Sequence, residues 1–407
     1  MSETTSHAHP TEDGSAEASR AATALARVLP GALVPLFDAS FCRSASLYEE
    51  YVHRLAIQVA RRAGLEAAAR EAGDASQIVA RAGLAIEPSL TAIDWLLRHL
   101  AARGLVESRD GDGRLRFQVP AALPDLDPAA VGRVQREHDA SWLPSYVLAE
   151  AVARDYLAFL RGERTGEEIL FSPARLPLWL EYFSNDNGLY AINNRVGAAA
   201  VEAWLPPGGG AILELGGGLA SGTTALLAQL QHSGRLREIR EYRFTDLVPH
   251  FLRRGQRVLE HRFPGAAFLT SSRLDMNQPF AEQGVTPGSF TAVYAVNTLH
   301  VAHDLEATLS EVRDGLAPGG RLIVSECVRP HAGRPIYPEF VFNLMETFRA
   351  PRLRPPHRPN GGFLTPEQWT GLVEASGFVD VRFLPDLIRI RDEFPDFYVA
   401  AFAATRA

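Results

Sequence analysis

The sequence predicts an α/β protein in which a seven-stranded, doubly wound sheet follows a mainly helical region. An apolar run at 211–215 breaks into three glycines and resumes as a helix-forming segment, the pattern of a strand, a glycine loop and a helix. Four further strand-like segments alternate with helical ones as far as residue 326. Residues 365–407 then read as a final helix and two antiparallel edge strands, which complete the sheet.

Composition places the chain in an ordinary class. Its 407 residues are 46% hydrophobic and 22% charged, as in soluble globular proteins. Residues 1–22 are polar and read as a loose, disordered tail rather than a signal peptide, and no apolar run approaches the length of a membrane span. We therefore expect a cytoplasmic protein without a membrane partner. Cys42 and Cys327 are too few to indicate a disulfide framework or a cysteine metal site.

The charged residues exclude some functions. The formal net charge of −7 argues against a nucleic-acid partner. The chain has no lysine, so all 41 permanently cationic side chains are arginines. A lysine Schiff base and a Walker-type phosphate loop are therefore excluded.

The region 23–120 is predicted to be winged-helix-like. Helical periodicity covers 44–72, 75–82 and 88–103, and a hairpin follows around an Asp110-Gly111-Asp112-Gly113 turn. The third helix offers only Arg98 and Arg103 as cations, which is a poor footprint for DNA.

Residues 121–205 read as a helical connector, and 206–407 as the ligand-binding domain. Within 176–205, aromatic side chains alternate with polar amides. This mixture fits a segment that lines a pocket, but a half-buried connecting helix would look the same. The pocket candidates from this segment are Tyr182, Tyr190 and Asn194.

The glycine loop carries the first ligand candidates, Gly216 and Gly218, because glycine lets the backbone approach a ligand closely. Glu214 ends the preceding apolar strand. A carboxylate there costs several kcal/mol of desolvation unless it is paired, and a cationic small molecule would pair it.

Further polar residues fall where later strands end, which is where open α/β sheets bind ligands. Asp246, followed by Leu247, is placed to accept both hydroxyls of a ribose, although it could also cap the next helix. Asp275 can accept from an exocyclic amino group while Met276 packs on an aromatic base, so adenine would suit both. Asn297 and His300 follow the fourth strand.

Together these features resemble a class I S-adenosylmethionine-dependent methyltransferase, with a Rossmann-like seven-stranded sheet. The resemblance rests on ELGGG, the acid that ends strand two, the Asp-Met pair and LAPGG, and it covers Glu214 to Glu326. A dinucleotide dehydrogenase would show GxGxxG, whereas the third glycine here is displaced by one position.

The segments YRFTDLVPHFLRR, AVNTLHVAHDLEATLSEVRDGLAPGGRLIVSE and GGFLTPEQWTGLVEASGF resemble the type 12 C-methyltransferase domains of polyketide synthases. That resemblance implies S-adenosylmethionine as cofactor and His300 as general base on an acidic carbon, supported by Glu326. It also implies an acceptor that is a small molecule or is bound to a carrier protein. We expect the chain to depart from those domains by standing alone and by its winged-helix-like front. In small-molecule O-methyltransferases such a front dimerises and covers the substrate pocket, so a homodimer is expected.

Other interpretations of the histidines stay open. His300 could simply cap the following helix. His303 could form an HxxH metal pair with it, but no third ligand is evident and we predict no metal.

The segment 335–348 reads as a helix that closes the acceptor pocket with Tyr337, Phe340 and Met345. The arginine and proline loop at 349–363 could bind an anionic group or be a solvated excursion.

The predicted function is a methyltransferase of natural-product biosynthesis that acts on an activated carbon of a polyketide-like acceptor. The alternatives are a small-molecule O-methyltransferase and a cofactor-binding cyclase that transfers no methyl group. A winged-helix regulator that binds DNA is disfavoured by the sparse cations.

Overall fold

The computed structural model describes residues 13–111 and 114–407. Residues 1–12 of the predicted tail and the Asp112-Gly113 part of the predicted turn lie outside the described residues. Within the described ranges, no helix is both long enough and apolar enough to cross a membrane.

The first half of the chain is mainly helical, with one short hairpin. Its elements are α1 (Asp13–Val28), α2 (Ala39–Arg62), α3 (Leu65–Ala68), α4 (Ala75–Arg81), α5 (Ile86–Ala102), β1 (Glu107–Gly111), β2 (Arg114–Gln118), α6 (Pro128–His138), α7 (Leu143–Leu160), α8 (Gly166–Leu170), α9 (Leu176–Tyr182) and α10 (Gly188–Trp204).

The prediction of a disordered tail over 1–22 is wrong for residues 13–22, which lie in α1. This helix buries Ala18 and Leu25 against the core of the sheet half. The polar composition of 1–22 concealed one apolar helix face that continues past residue 22.

Local signals set the helix boundaries. Asp38 caps α2 by accepting from the Phe41 backbone N–H at 2.8 Å, and Gly64 follows the helix with φ of +73°. Asp74 and Gln77 form a capping box at α4. The predicted long helix over 44–72 is therefore divided into α2 and α3.

The second half forms the sheet and its flanking helices. Its elements are β3 (Gly210–Leu215), α11 (Ser221–His232), β4 (Ile239–Asp246), α12 (Pro249–Arg262), β5 (Leu269–Arg273), β6 (Phe290–Val296), α13 (Leu305–Gly315), β7 (Leu316–Cys327), α14 (Glu339–Phe342), α15 (Glu346–Arg349), α16 (Pro366–Ala375), β8 (Phe378–Leu384), α17 (Leu387–Ile390) and β9 (Val399–Arg406).

The seven strands lie in the order β5-β4-β3-β6-β7-β9-β8. All neighbouring pairs are parallel except those made by β9, which runs antiparallel to both β7 and β8. The predicted seven-stranded α/β sheet is confirmed. The strand order reverses direction between β3 and β6, so a crevice is expected at their carboxyl ends.

Every residue of β3 is buried, as an apolar central strand requires. One hydrophobic core fills the sheet half and a second fills the helical half. Phe41 and Tyr398 pack against both cores, so the two halves meet along a shared apolar surface. The site described next lies at this junction.

Candidate active site

A cavity of about 450 Å³ opens where the carboxyl ends of the central strands meet the helical half. Most of the residues predicted from the sequence line it. They are Tyr182, Tyr190, Gly216, Asp246, Leu247, Asp275, Met276, Asn297, His300, Tyr337 and Met345. Glu214, Gly218, Glu326, Asn194 and Phe340 are not among the lining residues.

The glycine loop needs glycine for steric reasons. Gly216 has φ of +61°, and a Cβ there would lie 2.2 Å from Thr298 Oγ1. A Cβ on Gly217 would lie 2.2 Å from the Phe244 ring. The loop therefore presents bare backbone to the cavity, as a close-fitting ligand requires.

Asp246 is the last residue of β4, and it ties two elements together. Its Oδ2 accepts from the Gly218 N–H at 2.9 Å and its Oδ1 accepts from the Val248 N–H at 2.7 Å. Burial raises the pKa of the carboxyl, and these two hydrogen bonds act in the opposite direction. Asp246 thus holds the glycine loop against the start of α12, in addition to lining the cavity.

Glu214 does not face the cavity, which corrects the expected pairing with a cation. Its Oε2 accepts from the hydroxyls of Tyr242, at 2.9 Å, and Thr223. Burial raises the pKa of the carboxyl to about 7, although both hydroxyls oppose the shift. The carboxyl group lies beneath the loop, 3.2 Å from where a Cβ of Gly217 would be.

Asp275 and Met276 lie beside Leu247 at the ends of β4 and β5. Asp275 Oδ1 accepts from the Asn277 N–H at 3.0 Å, which closes a local turn. The Met276 carbonyl accepts from Thr308 Oγ1 at 2.9 Å. Both side chains are half-buried, so they form one wall of the cavity.

Asn297 joins three elements at the end of β6. It has φ of +47°, a conformation that asparagine tolerates better than most residues. Its Oδ1 accepts from the Cys327 N–H at 3.0 Å and from Asn193 Nδ2 at 3.2 Å. The side chain therefore fixes β7 and α10 around the cavity floor.

His300 and Glu326 form a buried pair. His300 Nδ1 donates to Glu326 Oε2 at 2.7 Å. Glu326 Oε1 accepts from the backbone N–H groups of Thr298, Leu299 and His300 at 3.2, 3.0 and 3.4 Å. One carboxylate thus orients both the imidazole and the turn that carries it.

Two phenylalanine rings also pack against the imidazole. Its centroid lies 4.5 Å from that of Phe363 and 5.7 Å from that of Phe348. Across residues 13–111 and 114–407, Nε2 has no hydrogen-bond partner, and His300 lines the cavity. The arrangement can accept a proton at Nε2 while Nδ1 stays bound to the carboxylate.

Aromatic side chains form the remaining wall. The Tyr182 ring centroid is 5.6 Å from that of Tyr190, and the Trp179 ring stacks on Phe183. Tyr337 lies opposite and packs edge-on against Tyr48 from α2. The wall suits an acceptor with an apolar or planar part.

Two predicted pocket residues belong to the protein interior instead. Phe340 is fully buried against Tyr156, with ring centroids 5.0 Å apart. The predicted helix over 335–348 is two short helices, α14 and α15. Asn194 is buried on α10, where its Nδ2 donates to Asn185 Oδ1 at 2.8 Å. It faces the start of α11 rather than the cavity.

Several residues that line the cavity are not predicted from the sequence. Tyr48 and Tyr398 come from distant segments, and no sequence pattern points to them. Phe342 lies next to Met345, and Phe363 follows two glycines just before α16. The Gly-Gly-Phe sequence begins one of the segments that resemble C-methyltransferase domains, and it is the signal that points to Phe363. These residues line the cavity together with Asn193.

His303 is placed away from a metal-binding arrangement. Its backbone N–H donates to Asn277 Oδ1 at 2.8 Å. In the part of the chain that the structure describes, no group of three or more His, Cys, Asp or Glu side chains is placed to hold a metal ion.

Comparisons with known proteins agree with this geometry. Residues 213–322 match the family model described as a methyltransferase domain. Among curated proteins, the polyketide synthases ThaG and ThaQ of Burkholderia thailandensis are 28% and 30% identical over 77% and 71% of this chain. PksR of Bacillus subtilis is 29% identical over 59% of it. The matched segments are 5%, 14% and 9% of these relatives, so the chain spans only a small part of their length.

Solved structures show the same fold over nearly the whole chain. The CurJ carbon methyltransferase matches with a TM-score of 0.71 and 22% identity, over 97% of this chain and 98% of that one. The DszA carbon methyltransferase matches with a TM-score of 0.68 and 22% identity, over 94% and 95%. These likenesses establish the fold, including the helical half that precedes the sheet, so the expected departure from such domains in the front region is wrong.

Proposed function

We propose that this chain transfers a methyl group from S-adenosylmethionine to an acidic carbon of a polyketide-like acceptor. Its methyltransferase domain and its likeness in fold to the polyketide synthase carbon methyltransferases support the proposal. The observation that carries the proposal is the buried pair of His300 and Glu326, whose free imidazole nitrogen lies on a cavity built at the carboxyl ends of the strands.

The residues present fit this cofactor. The backbone of Gly216 and Gly217 forms a cradle that a side chain would fill, and Asp246 at its edge would accept from the ribose hydroxyls. Leu247 and Met276 would flank the adenine, with Asp275 accepting from its amino group. Asn297 lies beside the same cradle. When bound, the cofactor supplies an electrophilic methyl group on a sulfonium.

The role of His300 follows from the chemistry of the acceptor. A carbon flanked by two carbonyl groups is acidic enough for an imidazole, whose ordinary pKa is about 6.5. His300 Nε2 would take the proton from this carbon, and the electron pair left on the carbon would then be the nucleophile for the methyl group that the cofactor supplies, with the sulfur as the leaving group. The proton then leaves Nε2 for solvent after the product departs. Glu326 holds the imidazole through Nδ1 throughout.

The cavity wall supports an acceptor that is apolar or planar near the reacting carbon. Tyr182, Tyr190, Tyr337 and Met345 line it, and Thr347 is an exposed residue at its rim. An open rim leaves room for an acceptor that is still attached to a carrier protein. We therefore include carrier-bound acyl groups among the acceptors.

We also propose the finer organisation expected from the sequence. In it, residues 23–120 form a winged-helix-like unit that dimerises, 121–205 connect it to the site, and 206–407 bind the cofactor. The proposed enzyme is a cytoplasmic homodimer that binds neither nucleic acid nor membranes. The order of α2, α4, α5, β1 and β2 supports the winged-helix-like unit.

The test is incubation with ¹³C-methyl-labelled S-adenosylmethionine and a 3-oxoacyl thioester labelled with ¹³C at the carbon between its two carbonyls, followed by NMR of the product. We expect the label on the carbon between the two carbonyls, seen as one-bond coupling to an adjacent labelled carbon. Label on oxygen would instead favour the O-methyltransferase alternative. Cofactor binding with consumption of the acceptor but no methyl transfer would favour the cyclase.

A further inference from the structure

The arginine and proline loop before α16 is neither an anion site on the cavity nor a free excursion. We call residues 351–363 the arginine clamp, because its arginines bind the turn that carries His300. Arg358 Nη2 donates to the His300 carbonyl at 2.7 Å. The Arg352 N–H donates to the His303 carbonyl at 2.6 Å. The side chains of Arg352 and Arg354 donate to Asp304 Oδ2 at 3.0 and 2.8 Å.

The arginine clamp is itself closed by backbone contacts. Arg354 and Arg358 exchange two backbone hydrogen bonds, at 2.9 and 2.8 Å. Gly362 donates to the Phe348 carbonyl at 2.8 Å, and a Cβ there would lie 2.6 Å from the Phe348 ring. Phe363, which follows, packs on the His300 ring. The clamp therefore contacts both the main chain and the ring of His300.

Among the described residues, Arg358 is a buried arginine with unpaired nitrogen atoms. It is 1% exposed, and within the described ranges its Nε and Nη1 have no hydrogen-bond partner. Burial lowers the pKa of its guanidinium to about 10, while the negative charge of Glu326 acts in the opposite direction. The side chain is thus still charged at neutral pH, and the negative charge of Glu326 favours this charged form.

We propose that Arg358 is a positioning residue for His300: it fixes the turn through the His300 carbonyl, and its charge balances that of Glu326. A carboxylate beside an imidazole favours the protonated ring, which cannot act as a base. A buried cation beside the carboxylate opposes this effect.

The charged groups around the pair come from three segments. Glu326 lies on β7, Arg358 comes from the arginine clamp, and Arg329 follows β7. Arg329 is bound to Glu339 of α14. The remaining clamp cations, Arg352 and Arg354, are paired with Asp304. Arg358 is therefore the clamp arginine that is left to balance Glu326.

This inference rests on the proposed function. Its test therefore combines measurements of methyl transfer with measurements that need no turnover. The variants are Arg358→Met and Arg358→Lys, with Arg235→Met as the control. Arg235 also binds main-chain carbonyls, those of Glu202 and Leu205, but it lies outside the cavity. Methyl transfer is followed against pH, the His300 ring is titrated by NMR, and S-adenosylhomocysteine affinity is measured by calorimetry.

For Arg358→Met we expect turnover at neutral pH to fall by about 10- to 100-fold. The acid limb of the pH profile and the ring titration should both move to higher pH, by about one unit. Arg358→Lys keeps the positive charge, so the acid limb of its pH profile should lie where it does in the wild type. Its turnover should be restored only in part. S-adenosylhomocysteine affinity and the Arg235→Met profile should stay as in the wild type.

An Arg358→Met variant whose ring titrates as in the wild type would overturn the inference. So would a variant that loses cofactor affinity as much as turnover, because the role of Arg358 would then be structural. If the wild type methylates no acceptor, the proposed function fails, but the NMR titration of the ring still decides the role of Arg358.

Discussion

His300 and Glu326 are 26 residues apart in the chain, yet Nδ1 of the first lies 2.7 Å from Oε2 of the second. The second carboxylate oxygen accepts from the backbone of the turn that carries the histidine. A single buried side chain at the end of β7 therefore sets the position, the orientation and the tautomer of the imidazole at the end of β6. The proposed role of His300 as general base depends on this contact.

Replacing Glu326 by Gln should remove the charge while keeping a group of the same shape. We expect kcat to fall by about 100-fold or more, because the imidazolium formed during turnover loses its counter-charge. The affinity for S-adenosylhomocysteine should change little. Steady-state kinetics and calorimetry measure both quantities, and Glu202→Gln, a change at a partly buried acid outside the cavity, is the control. Equal activity of Glu326→Gln and the wild type would show that the carboxylate charge plays no part.

Replacing Gly216 by Ala should weaken cofactor binding. The new Cβ would lie 2.2 Å from Thr298 Oγ1 on a backbone with φ of +61°, so the loop must shift. Gly234→Ala is a matched control, since its φ is +74° but nothing lies within 4 Å of the new Cβ. Calorimetry with S-adenosylhomocysteine should show a loss of about tenfold or more in affinity for Gly216→Ala alone. Equal losses in both variants would mean that backbone strain, and not the collision, is the cause.

Replacing Glu214 by Gln should flatten the pH dependence of stability. Burial raises the pKa of this carboxyl to about 7, from an ordinary value near 4.5. The folded state therefore binds the proton more tightly than the unfolded state, and stability falls as pH rises through this window. The full cost above pH 7 is on the order of 3 kcal/mol. Unfolding by urea at pH 5 and pH 8 should show a smaller difference for Glu214→Gln than for the wild type; an unchanged difference would contradict the prediction.

The two buried histidines of the helical half should act in the opposite sense. His53 Nδ1 lies 3.2 Å from His99 Nε2 between α2 and α5. Burial lowers the pKa of His53 to about 4, and that of His99 also falls. The unfolded chain then takes up protons first as pH falls below about 6.5, so stability falls from there toward pH 4. His53→Gln should lose less stability than the wild type between pH 7 and pH 5 in thermal unfolding, and an equal loss would refute the role of His53.

Much of the sheet and of the cofactor side of the site is predictable from the sequence, because its signals are local. The glycine loop, Asp246, Asp275 and His300 each lie at the carboxyl end of a strand or within four residues of it, and the carboxyl ends of parallel strands meet at one edge. The hydrophobic period of each segment and its position along the chain are then enough to predict that these residues lie together.

The acceptor side is predictable only in part, because it is assembled from distant segments. Tyr48 and Tyr398 reach the cavity through packing between the two halves, which no local pattern encodes. Phe340 lies in the core because the apolar residues of 335–348 divide between the core and the cavity wall, and their pattern does not show which side each one faces. The pairing of Glu214 is not predictable because its hydroxyl partners, Thr223 and Tyr242, are on other elements.

The most direct measurement of the central claim is single-turnover methyl transfer by His300→Ala to the carbon of a 3-oxoacyl thioester. Calorimetry with S-adenosylhomocysteine serves as the check that the variant still binds cofactor. We predict that cofactor affinity is retained while the rate of carbon methylation falls by between about 100- and 10,000-fold. Carbon methylation at the wild-type rate by a variant that lacks the imidazole would contradict the proposal that His300 is the base.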